Sequence, residues 1–109
     1  MMARKDIAAR LVRTVLAGLG ADATLLRADE REWASATFSG ARHGIDLSIR
    51  LACADASPPA FLAQLPEWEF DLPGEIVADC MVALGQRERG AGGGWQMPCR
   101  IELLTIAAE

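Results

Sequence analysis

EIVADCMVALGQRERGAGGGWQMPCRIELLTIA, residues 75–107, is the stretch whose reading decides the fold. Two runs rich in β-branched and apolar residues, Glu75 to Leu84 and Trp95 to Ala107, flank a segment with five glycines between residues 85 and 94. Glycine at that density breaks both helix and strand, so the pattern predicts a long antiparallel hairpin with a flexible loop. A register that sets Leu84 against Trp95 also sets Val82 against Met97, Cys80 against Cys99, Ala78 against Ile101 and Ile76 against Leu103. That face is then wholly apolar, while Asp79 lies opposite Arg100 on the other. A one-residue slip mixes the two sets, which is how a buried face selects a register. It also predicts that Cys80 and Cys99 are reduced cross-strand neighbours, with Cβ atoms about 5 Å apart. Leu104 and Ile106 carry apolar character onto the second face, so the end of the last strand is expected to be covered on both sides.

Upstream, Ile45, Leu47, Ile49 and Leu51 alternate with Asp46, Ser48 and Arg50, the clearest period-two signal in the chain. Paired with a strand over residues 33–38, this run places Phe38 against Ile45 and Trp33 against Arg50, with residues 39–44 as the turn. Ala23 to Asp29 reads as a preceding strand, separated by a charged turn at Glu30-Arg31-Glu32, and the three make a meander. Before them, Ile7, Leu11 and Val15 recur four apart between Arg4 and Leu19, the spacing of an amphipathic helix stopped at Gly20. Between meander and hairpin, Ser57-Pro58-Pro59 opens a short helix over residues 60–65. Glu67 to Leu72 alternates acid with apolar as an edge strand.

The expected fold class is therefore α+β: an antiparallel sheet of five to six strands, the N-terminal amphipathic helix packed on one face, a second short helix, in the order α-β-β-β-α-β-β. With 109 residues, the expectation is a single domain spanning residues 1–109.

The formal net charge is −4, and it is unevenly placed. Residues 1–20 hold Arg4, Lys5, Arg10 and Arg13 against the one acid Asp6, whereas residues 55–79 hold six acids and no Lys or Arg. An acidic body lacks the basic face a phosphate backbone requires, so no nucleic-acid partner is expected. Three cysteines without a C-x-x-C pair suit a reducing, cytoplasmic setting. Arg13 leaves the apolar run of the N-terminal segment at the short limit for a secretory leader, so none is expected, and nothing approaches the ~18 apolar residues of a membrane span. No membrane association is expected.

Few residues suggest chemistry. His43 is the only histidine; with Arg42 and Asp46 beside it, it offers an anion-accepting corner or a general base. No nucleophile sits in a recognisable elbow, so a solvated turn residue is the plainer reading of His43. Cys53, Cys80, Cys99 and His43 lack the close spacing of zinc ligands, and no metal or cofactor is expected. Glu67, Glu69 and Asp71 recur every second residue, as on a solvated strand face. Gly92-Gly93-Gly94 precedes a strand, unlike a phosphate-binding loop.

The resulting expectation is a small non-enzymatic binding or protein-interaction module forming a homodimer. One helix cannot shield all the apolar strand surface, and Trp95, Leu104 and Ile106 are the interface candidates. The alternative is a small enzyme or ligand-binding protein with a pocket at Arg42, His43 and Asp46.

Overall fold

The computed structural model describes residues 4–107; the ends of the 1–109 unit lie outside the described residues. Helix α1 (Arg4–Leu19) leads through a 3-10 turn (Gly20–Asp22) into β1 (Ala23–Ala34) and β2 (Ser39–Leu51). A short helix α2 (Ala60–Gln64) and a second 3-10 turn (Leu65–Glu67) precede β3 (Glu75–Leu84), β4 (Glu88–Arg89) and β5 (Trp95–Ala107). The five strands form one antiparallel sheet in the order β1-β2-β5-β3, with β4 pairing to β5 beside β3. The α+β class, the five strands and the two helices follow the expectation. The strands are divided differently, two before the short helix and three after it.

Alternation along β2 and β5 builds the core. Ala41, His43, Ile45, Leu47, Ile49 and Leu51 of β2, and Met97, Cys99, Ile101, Leu103 and Thr105 of β5, are all buried. Successive strand residues point to opposite faces, so these odd positions form one packed face. Helix α1 lies on it: Ile7, Leu11 and Val15 have no exposed surface and join the sheet residues in one cluster with Leu62, Leu65 and Leu72. Gly20 ends the helix at φ +77°, a conformation that a side chain disfavours.

Three details of the sequence reading are corrected. First, the meander is a two-stranded hairpin. Residues 30–32 continue β1, whose edge position leaves both faces partly solvated and so tolerates Glu30, Arg31 and Glu32 in a strand. The turn falls at residues 35–38, where Ser35 Oγ accepts the Phe38 amide at 3.1 Å. Trp33 consequently stands opposite Gly40, not Arg50, and Arg50 bonds Asp22 at 3.1 Å.

Second, the C-terminal hairpin is shifted by four residues. Cys80 pairs with Leu103, Leu84 with Cys99, and Asp79 with Leu104, so Cys80 and Cys99 lie about 13 Å apart along the strands. Over residues 79–84 the shift is even and keeps Cys80 and Val82 on the packed face. Beyond the irregularity after Val77 it is odd, so Ile76, expected on that face, stands on the other one and is 57% exposed. The ladder also runs further into the glycine segment than its composition suggested: Gly85 donates to Pro98 O at 2.7 Å, β4 pairs residues 88–89, and the turn closes from Gly90 to Gly94. An irregularity between Val77 and Asp79 offsets the far end. Third, no strand forms at 67–72; a 3-10 turn and extended chain bring Leu65 and Leu72 into the core instead.

Candidate functional site

The even positions of β2 and β5 face away from α1, and no described element covers them. Following the strand pairings, this open face is a grid of cross-strand rows. One row reads Trp33, Gly40, Ile106, Ile76; the next Arg31, Arg42, Leu104, Asp79; the next Asp29, Gly44, Glu102, Met81; the next Arg27, Asp46, Arg100, Ala83. Ile76 is 57% and Met81 60% exposed, and Leu26, beside the β1 irregularity, 63%.

Arg100 organises the centre. Its guanidinium bonds both carboxylate oxygens of Asp46 at 2.9 and 3.0 Å and Glu102 at 3.0 Å, and lies 3.7 Å from Asp29. These bonds, from Asp46 above all and then Glu102, hold its proton more tightly than in a free arginine. Gly44 makes the arrangement possible, since a Cβ there would overlap the Arg100 guanidinium and approach Asp29 Oδ1 at 2.8 Å.

Beside Arg100 lies a basin of about 220 Å³ lined by Asp29, Arg31, Arg42, Asp79, Met81 and Leu104, among others. Arg31 and Arg42 are direct cross-strand neighbours, an arrangement of like charges that costs stability. Neither they nor Asp79 has an ion pair among the described residues.

The structure separates the residues grouped from sequence. Arg42 is exposed on the open face, whereas the ring of His43 turns to the packed face, 3% exposed, with Nε2 3.3 Å from Thr105 Oγ1. Thr105 Oγ1 also reaches Ala41 O at 3.3 Å, and His43 is a core group, not a solvated turn residue. His43 thus borders the basin from its backbone. Asp46 is on the open face but held by Arg100. Of the interface candidates, Leu104 and Ile106 share the open face. Trp95 does not: its ring packs against the core on the α1 side, with the Arg89 guanidinium 5.2 Å from its centroid. Arg31 and Asp79 escaped the sequence reading because each joins the site only through pairing across strands. A Glu30-Arg31-Glu32 segment gives no local sign of which way Arg31 points.

Compared with known proteins, the chain matches no family model, no curated protein and no solved structure.

The thiols are chemically graded. Burial, with a smaller contribution from Asp79, pushes Cys80 up to about 11, and burial with Asp46 does the same for Cys99. Cys53 is exposed and donates to Asp55 at 3.1 Å, a bond that holds the Asp55 carboxyl below its ordinary value. A thiol reagent at pH 8 is expected to modify one cysteine of the native chain rapidly and all three only in denaturant; three fast thiols would contradict the packing of β3 on β5. The folded chain holds the Cys80 and Cys99 protons up to about pH 11, whereas an unfolded thiol loses its proton near 9.0. This contribution to stability is therefore intact below pH 9 and lost as pH rises from 9 to 11.

Proposed function

We propose that this chain is a small non-enzymatic interaction module that works through the open face of its sheet. The observation that carries the reading is the apolar content of this face: Ile76 and Met81 are exposed, and Trp33, Leu104 and Ile106 are half-buried, around a fixed ionic centre. Soluble monomers rarely leave a contiguous apolar area without a use for it. The carboxylates best placed for acid–base work, Asp29, Asp46 and Glu102, are committed to Arg100, which favours binding over catalysis. No described helix is long and apolar enough to cross a membrane, the acid excess disfavours nucleic acid, and the free thiols suit the cytoplasm.

A photo-crosslinking residue in place of Met81 is expected to yield a discrete protein adduct in cells, and the same residue in place of the exposed Ala17 of α1 none. No adduct from position 81, or equal adducts from both positions, would contradict the proposal.

A second reading has one observation in its favour: Arg31 and Arg42 stand together, without ion pairs, over a basin. They would accept a small carboxylate or phosphate, with Arg42 and Asp46, but not the ring of His43, at the site. Saturable shifts of the Arg31 and Arg42 amide resonances on titration with inorganic phosphate, lost in Arg42→Ala, would support it; their absence at millimolar phosphate would rule it out.

A further inference from the structure

We infer that the occupant of the open face is a second copy of this chain, laid face to face about a two-fold axis that runs parallel to the strands between β2 and β5. The inference rests on the open face being an interaction surface and names its partner. Such an axis reverses each cross-strand row onto itself, so β1 of one copy faces β3 of the other and β2 faces β5. The rows then complement themselves. Trp33 meets Ile76 of the second copy, and Ile106 lies over Gly40, the position in that row without a side chain. In the adjacent row Arg31 meets Asp79, and Leu104 covers Arg42.

The charge pattern gives this arrangement its direction. Arg31 and Asp79 have no ion-pair partner among the described residues and stand at opposite ends of one row, on β1 and β3. Within one chain the two intervening strands separate them by about 14 Å. Reversal of the row brings them together twice, once on each side of the axis. The acids and bases in the Arg100 cluster are already paired within the chain, so they bring no unmatched charge to the contact, and the cost of removing their water is set against the two Arg31 to Asp79 pairs and the apolar contacts. The geometry is ordinary for sheets, which pack face to face with strands aligned to within about 30°.

The area is sufficient. Four strands about 4.8 Å apart, over some ten residues at about 3.3 Å each, present about 600 Å² per copy, or about 1,200 Å² in all, the lower end of the range for specific stable interfaces.

Light scattering on the full chain at about 50 μM tests the inference by charge reversal, with circular dichroism confirming that each variant is folded. The wild type is expected at twice 11.7 kDa. Arg31→Asp and Asp79→Arg each turn two attractive contacts into repulsive ones and are expected to weaken association about 100-fold or more, leaving monomers. An equimolar mixture of the two variants is expected to recover the dimer, because both contacts are then attractive again. A monomeric wild type would overturn the second copy as occupant, while an adduct with another protein from position 81 would leave the interaction surface standing. A wild-type dimer untouched by either reversal would place the contact elsewhere, and two monomeric variants that fail to recover on mixing would overturn the Arg31 to Asp79 pairing.

Discussion

Gly40→Ala is expected to destabilise the fold by about 3 kcal/mol or more, the upper range for overpacking a closed site. An added Cβ at this position falls on the carbonyl oxygen of Thr105 and comes 2.8 Å from its carbonyl carbon and 3.1 Å from Ile106 Cα. All three obstacles are backbone, so no side-chain rotation relieves them; β2 and β5 have to separate where they form the centre of the sheet. The same movement disturbs the bond from Thr105 Oγ1 to Ala41 O and, through it, the seat of His43. Urea denaturation followed by circular dichroism measures the loss. Gly92→Ala, where a Cβ meets open space, serves as the control and is expected to change stability by less than about 0.5 kcal/mol. Equal effects at the two positions would refute the close approach of β2 to β5.

Leu11→Ala is expected to cost about 3 to 4 kcal/mol. Leu11 is the middle member of the Ile7, Leu11, Val15 stack, none of which has exposed surface, and these three hold α1 on the sheet. Truncation removes the transfer energy of the isobutyl group and leaves a cavity between helix and strands that neighbouring elements fill only in part. Against a total stability of about 5–15 kcal/mol for a domain of this kind, the loss is large. Ile76→Ala removes a side chain of similar size from the open face, where it is 57% exposed, and is expected to lower the stability of the isolated monomer by less than about 1 kcal/mol. A Leu11→Ala variant as stable as the parent would mean that α1 is not the cover of the packed face.

The contrast between these sites also explains what was legible in the sequence. Helix α1 was readable because its apolar residues repeat at the period of a helix that buries one side. The inward sets of β2 and β5 were readable because period two is unambiguous where one face is dry. Register was not, since a four-residue slip keeps residues 79–84 on their faces and only exchanges partners, while the irregularity after Val77 that moves Ile76 to the other face leaves no mark in the alternation of the sequence. Residues 39–44 resemble a turn in composition, yet Gly40 and Gly44 sit within β2 because Thr105 and Arg100 fill the space their side chains would take. That reason exists only once β5 is in place. The same holds for the candidate site: Leu104 and Ile106 announced themselves as surplus apolar residues, whereas Arg31 and Asp79 matter through a row that four strands assemble. His43 drew attention as the lone histidine beside an arginine, but strand alternation sends the two side chains to opposite faces.

The central claim, that two copies meet through their open faces, is tested most directly by isotope-filtered nuclear Overhauser spectroscopy on an equimolar mixture of labelled and unlabelled chain at several hundred micromolar. Cross-peaks are expected between the indole protons of Trp33 in one copy and the methyl protons of Ile76 in the other. Intermolecular cross-peaks confined to the solvent side of α1, or none in the mixed sample, would contradict the claim.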